Sequence, residues 1–253
     1  MKGRPRYLLA ALAAAIPIVP IVAGIAITSG SVPARPAEAL AFSTPRTAPP
    51  AAPEGRGFLV ALLRHATALR ASPGGRRIAP LGTRTQFGSP QALSVVRRSG
   101  AWLGVLSPIA GNGHVGWIPA GAALLGRVPW ELRVSLAARR LTVLEDGRPL
   151  ERYTVAIGRP SAPTPTGRFA VTDRLETGDP SGPYGCCILA LTALSPHAIQ
   201  GWSGGNRIAI HSTPETATIG QPVSHGCLRL TLAEGRWLLA HIPLGTPTII
   251  SSA

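Results

Sequence analysis

Turn-forming residues interrupt this chain too often for long helices to persist. It holds 29 glycines and 26 prolines in 253 residues. Proline removes a backbone donor and fixes φ, and glycine supplies turn geometries other residues resist. Strands joined by many turns are therefore the expected layout, mostly β with one or two helices. Apolar residues make up 45% of the chain, enough for a core, and its length suits one large or two small domains with tails.

The formal charge is +14, nearly all of it arginine; Lys2 is the only lysine. The charges are scattered, with no basic run and no basic helix interleaved with aromatics, so a nucleic-acid partner is not expected. A surface rich in carboxylates and phosphates suits the charge better.

Residues 1–28 carry Lys2, Arg4 and Arg6 ahead of an uncharged, mostly apolar run at 8–27. That length matches the roughly 20 residues a helix needs to cross a hydrocarbon core of about 30 Å. The basic flank predicts a cytoplasmic tip and an exported remainder. A transmembrane anchor is favoured over a signal peptide cleaved near Ala41, because the run exceeds a usual signal core. Residues 29–57, rich in Pro, Ala, Ser and Thr, read as a stiff linker.

Residues 58–126 read as short strands around turns. Trp102-x-Gly104-Val105, followed by Gly116-Trp117-Ile118-Pro119, resembles the end of a bacterial Src-homology-3-like barrel. The alternative is that the two tryptophans are simply core aromatics of a small β-domain. Residues 130–253 form the second unit. Asp146-Gly147 marks a hairpin. Thr231-x-x-Glu234 is a capping box, and the helix it starts should bury Leu232, Leu239 and Ile242 before Pro243 ends it.

Chemistry concentrates in residues 208–230, which hold His211, His225 and Cys227. Three cysteines in an exported chain leave at least one unpaired, and Cys186-Cys187 stand together while Cys227 stands apart. A zinc site would want a fourth ligand at a usual spacing, and none stands nearby. A metal site is therefore the less favoured reading. A thiol becomes a good nucleophile when a neighbouring imidazole takes its proton. His211, at the end of a strand, is assigned as that base and His225 as a site organiser. Gly226, directly before the cysteine, would let backbone amides turn towards an oxyanion.

Ser224-His225-Gly226-Cys227-Leu228-Arg229, downstream of His211, resembles the signature of the L,D-transpeptidase (YkuD-type) family of bacterial cell-wall enzymes. Thr164-Pro165-Thr166-Gly167-Arg168-Phe169 matches its Thr-Pro-x-Gly-x-Phe turn, and Gly182-Pro183-Tyr184-Gly185 resembles the segment leading to its substrate-covering region. The resemblance implies a β-sandwich-like catalytic domain and a reaction that needs no metal or organic cofactor; the segments read above would set that domain behind a small β-barrel-like domain and an N-terminal transmembrane helix. It implies that Cys227 attacks a peptidoglycan stem at the bond to its terminal D-Ala, forming a thioester that an amine on another stem resolves as a 3→3 cross-link. Water as acceptor would make a carboxypeptidase; a decayed site would leave a wall-binding protein. Carbapenems should acylate Cys227.

Ser212 stands where many members carry glycine. Ser212, Ser224, Tyr184, Trp202 and Arg229 are candidate substrate contacts, Arg229 because its planar fork suits a carboxylate or, alternatively, a structural salt bridge. A backbone carbonyl or the Ser212 hydroxyl would orient His211. Cys186-Cys187 lies outside the motif, and either a vicinal disulfide or two buried thiols would satisfy it. The chain is expected to act as a monomer at the cell membrane or in the wall, on peptidoglycan stem peptides.

Overall fold

A computed structural model describes residues 56–196 and 205–253. The expected membrane segment, nearly all of the linker and Trp202 lie outside the described residues. Among those described, no helix is long and apolar enough to cross a membrane.

Seven strands fill the first part: β1 Phe58–Leu63, β2 Thr67–Arg70, β3 Arg77–Leu81, β4 Ala92–Ser99, β5 Trp102–Val105, β6 Gly116–Pro119 and β7 Ala123–Val128. They pair antiparallel in the order β3-β2-β6-β5-β4-β1-β7. Alternation along the strands sends Leu69, Leu103, Val105 and Ile118 into a core of their own. Trp102 and Trp117 sit one position off that alternation and are only half-buried. They are not core aromatics; the Arg70 guanidinium lies 5.8 Å from the Trp102 ring centroid.

The second part comprises β8 Trp130–Ser135, β9 Arg140–Glu145, β10 Arg148–Thr154, β11 Ile157–Gly158, β12 Gly167–Glu176, β13 Cys187–Leu194, β14 Arg207–Ser212, β15 Pro222–Ser224, β16 Leu228–Leu230, the helix α1 Leu232–His241 and β17 Pro247–Ser251. Eight strands form one mixed sheet in the order β10-β9-β8-β17-β12-β13-β14-β16, and β11 pairs with β15 in a separate parallel ribbon. The β9–β10 hairpin turns at Asp146 and Gly147, both at positive φ (49° and 78°), as the two-residue hairpin demands. Two pairings in the large sheet are parallel, β8 with β17 and β14 with β16. The second sets the site, because it lays the segment after Cys227 beside the strand that carries His211.

The helix starts as expected. Thr231 Oγ1 accepts from the Glu234 N–H, and the Glu234 carboxylate accepts from the Thr231 N–H. Its buried stripe, however, is Gly235, Leu238 and Leu239, with Ile242 just beyond, and Leu232 is only half-buried. Leu239 and Ile242 are buried as expected, and Gly235 and Leu238 join them because α1 packs on its glycine. A Cβ at Gly235 would lie 2.8 Å from Ser212 Cβ, so the helix approaches β14 more closely than a larger residue allows.

The two sheets touch at polar points. Thr85 Oγ1 donates to the buried Asp173 carboxylate in β12. Asn112 pairs with the backbone of Leu194 both ways, at 2.7 and 2.9 Å.

Candidate active site

Cys227 precedes β16, and the parallel register that pairs Ile210 with Leu228 sets it opposite Ala209. His211 is two residues on from Ala209 and so emerges on the same face of the sheet. The imidazole and the thiol are therefore diagonal neighbours. No hydrogen bond joins them among the described residues, but Tyr184 spans the gap. Its ring centroid is 4.9 Å from that of His211, at 65°, and it packs on the cluster of Ile188, Ala209 and Cys227.

The turn before the thiol is built by buried hydroxyls. Ser224 Oγ accepts the Gly226 N–H at 3.1 Å and donates to the Cys227 carbonyl at 2.6 Å. Thr164 Oγ1 donates to the Gly226 carbonyl at 2.9 Å and accepts the Gly158 N–H at the same distance. Gly226 itself sits at φ +116°, a conformation that L side chains rarely adopt. A Cβ there would meet Ile208 Cδ1 at 2.7 Å.

These contacts revise several roles read from the sequence. Ser224 is buried and its hydroxyl is committed to the turn, so it shapes the backbone rather than meeting substrate. The Gly226 amide is turned towards Ser224, not towards an oxyanion beside the thiol. His225 is exposed and makes no hydrogen bond or ion pair among the described residues, so it organises nothing by contact. Ser212 is fully buried, and its backbone carbonyl, not its hydroxyl, accepts from His211 Nδ1 at 2.8 Å. Thr164 was missed as a site residue, although the Thr-Pro-x-Gly-x-Phe segment that contains it was the available signal.

A carbonyl can only accept, so the bond to Ser212 assigns the His211 proton to Nδ1 and leaves Nε2 with its lone pair. Burial pushes the imidazole from 6.5 down to about 4; the Ser212 carbonyl opposes this, and the Arg229 charge adds to it. Burial pushes the Cys227 thiol from 9.0 up to about 11, against a backbone hydrogen bond from Ala209 and the Arg229 charge. Cys227 is only 5% exposed. At neutral pH both groups are uncharged, so the site holds a thiol and a free base rather than a preformed ion pair.

That pairing gives stability a definite pH dependence. Below 6.5 the unfolded chain protonates His211 before the folded chain does, so stability falls as pH drops towards 4. Between 9.0 and 11 the unfolded chain has lost a Cys227 proton that the folded chain keeps, so stability falls as pH rises. Calorimetric Tm should form a plateau between these limits, with the acid limb flattened in His211→Gln and the alkaline limb flattened in Cys227→Ala.

Arg229 Nη1 lies 3.6 Å from Glu215 Oε2, and that carboxylate is 67% exposed, while Arg229 Nε is buried without a partner. The ion pair is single-pronged and wet on one side, which leaves guanidinium capacity for another carboxylate. Among the described residues no cluster of three His, Cys, Asp or Glu side chains is arranged to hold a metal. A cleft of about 880 Å³ opens at Arg56, Pro129 and Asp146, away from the thiol.

Residues 129–250 match the family of L,D-transpeptidase catalytic domains known as YkuD. The YkuD protein of Bacillus subtilis is 31% identical over 124 residues, covering 49% of this chain and 67% of that protein. Its counterpart in Bacillus licheniformis is 30% identical over 124 residues with the same coverage. Among solved structures, an L,D-transpeptidase from Mycobacterium smegmatis overlaps 54% of this chain and 66% of its own at 22% identity, with a TM-score of 0.38.

Proposed function

Because this chain belongs to the L,D-transpeptidase (YkuD) catalytic-domain family, we propose that it forms 3→3 cross-links between peptidoglycan stems through a thioester on Cys227. The observation that carries this is the pairing of an unpaired thiol with an imidazole whose Nδ1 is locked by the Ser212 carbonyl. That bond leaves Nε2 with the lone pair that accepting a proton requires.

In this reading Nε2 takes the Cys227 proton as sulfur attacks the carbonyl that joins the third stem residue to the terminal D-Ala. The tetrahedral intermediate collapses, the C–N bond breaks, and His211 returns the proton to the departing D-Ala amine. An amine from a second stem then attacks the thioester, and His211 passes its proton back to sulfur. No metal or organic cofactor enters. Since neither group starts charged, proton transfer accompanies attack instead of preceding it. The Arg229 charge favours the sulfur anion and is free to hold a stem carboxylate. Tyr184, packed on both reacting groups, lines the donor side.

Within the same reading, residues 1–28 anchor or export the chain and 29–57 hold it off the membrane. Residues 58–126 form the small β module before the catalytic domain at 130–253, and the chain works as a monomer outside the cytoplasm.

Incubating the protein with murein rich in tetrapeptide stems and sizing the digested products tests this. New 3→3 dimers with free D-Ala are the expected result. Loss of D-Ala without dimers makes the protein an L,D-carboxypeptidase. Binding without D-Ala release makes it a wall-binding protein.

A further inference from the structure

The two cysteines that this chemistry leaves unused are bonded to each other. Cys186 and Cys187 form a disulfide between sequence neighbours at the start of β13. Both touch the residue that holds the base. The Cys187 N–H donates to Ser212 Oγ at 3.1 Å, and Cys186 Sγ lies 3.4 Å from the same oxygen. The Ser212 carbonyl then accepts from His211 Nδ1 at 2.8 Å.

Ser212 has no room to absorb a shift. It is fully buried, and Gly185 and Gly235 approach it so closely that a Cβ on either would lie within 3 Å of it (2.5 Å from Ser212 Oγ and 2.8 Å from Ser212 Cβ). A close-packed residue of this kind passes a displacement on to its neighbours. The bridge itself ties two consecutive residues into a small ring, so their backbone cannot move independently.

We propose that the Cys186–Cys187 disulfide is a positioning element for His211, acting through Ser212, and that opening it loosens the base. The proposal rests on the reading of His211 as the base for Cys227.

The bridge is accessible without disturbing the thiol. Cys187 packs in the main core with Ile210, whereas Cys227 belongs to the separate cluster on the other face of the sheet. On the Cys187 side a cleft of about 420 Å³ reaches both bridge cysteines, with Arg174 and Arg236 among its lining. A small phosphine can attack there. It takes one sulfur of the bridge, the S–S bond breaks, and water supplies the oxygen of the phosphine oxide and the two protons of the new thiols. Bonding around Ser212 then changes. A bridged sulfur has no proton and only accepts, so the Ser212 hydroxyl divides between Cys186 Sγ and the Tyr184 carbonyl at 3.4 Å. A reduced Cys186 has a proton to donate, and the Leu232 carbonyl oxygen stands 3.6 Å away.

The test uses the full chain, with and without a water-soluble phosphine. Histidine ring signals are followed by NMR across pH, with His211 assigned from His211→Gln. Free thiols are counted after denaturation, and Cys227 acylation by a carbapenem is timed by intact mass. Untreated protein should show one free thiol and reduced protein three, as its three cysteines and single bridge require. On reduction the His211 titration should move back towards that of a free imidazole, and acylation should slow by about 10- to 100-fold, as expected for a misplaced catalytic group. Cys186→Ala/Cys187→Ala should behave as the reduced protein does and ignore the phosphine. Three free thiols before treatment, or an unmoved His211 titration after reduction, overturns the proposal. Wild-type protein that never acylates, yet whose His211 titration shifts on reduction, keeps the positioning role and removes the acyl-transfer reading instead.

Discussion

Cys227→Ala should leave a folded protein that neither takes up a carbapenem nor releases D-Ala, with activity down by at least about a thousandfold. The fold should survive because the side chain fills only a small cluster with Ile188 and Ala209, and alanine removes one atom from it. Activity should not survive, because no other free cysteine stands in the described structure. His211→Gln supplies the complementary result. With the thiol raised to about 11, the thiolate fraction at pH 7 without help is about one in ten thousand. The imidazole, held to about 4, is a weak base, yet it is wholly unprotonated at neutral pH and ready to accept. Its removal should cost about 10²- to 10⁴-fold, the usual contribution of a positioned base. Raising the pH should partly restore His211→Gln, because hydroxide generates the thiolate directly, and should do nothing for Cys227→Ala. Intact mass of the adduct and the rate of D-Ala release, read across pH, separate the two variants. Equal adduct formation in Cys227→Ala would move the chemistry to another residue and end the thioester reading.

Features of the site set by adjacent residues could be read from the sequence, and features set by pairing across the fold could not. The Asp146-Gly147 hairpin and the Thr231–Glu234 capping box depend on neighbours in the chain, and both stand where their residues predict. The difference in setting between the two histidines has a similar origin: His211 lies near the end of β14, while His225 sits in a turn that exposes it. The orienting group for His211 was not legible, since a carbonyl and a hydroxyl on the same residue were equal candidates until the ring's direction was known. Thr164 supports Gly226 from 62 positions away, and only the fold brings them together. Ser224 reads as polar lining in the sequence because it is a serine beside a nucleophile. Its burial and two backbone partners depend on the β11–β15 ribbon, which no local pattern announces. Gly235 was not legible as part of the helix's buried stripe for a related reason, since a glycine is apolar surface only when something packs against it. The small module's tryptophans lie off its core, because strand alternation gives that face to leucine, valine and isoleucine.

Gly226→Ala should damage both the fold and the site. Two costs combine. At φ +116° an alanine is held in a region that is nearly exclusive to glycine, a strain of about 1–3 kcal/mol. Its Cβ would also stand 2.7 Å from Ile208 Cδ1, and Ile208 is fully buried, so relief requires moving the core of β14 or the turn itself. Together these predict a loss of about 2–4 kcal/mol, or roughly 5–15 °C in Tm for a unit of this size. The turn is the softer of the two. It hangs on the Ser224 and Thr164 hydroxyls, and shifting it breaks those bonds while the strand keeps its ladder. The thiol then leaves its place opposite Ala209, and acylation should fall by about a hundredfold or more even at temperatures where the variant is fully folded. Gly121→Ala is the matched control. Nothing lies within 4 Å of a Cβ there and its φ is not positive, so both Tm and acylation should stay near wild type. If Gly226→Ala behaved like that control, the backbone turn would not be what holds Cys227 beside His211. The placement of the sulfur would then have to come from β14 and β16 alone.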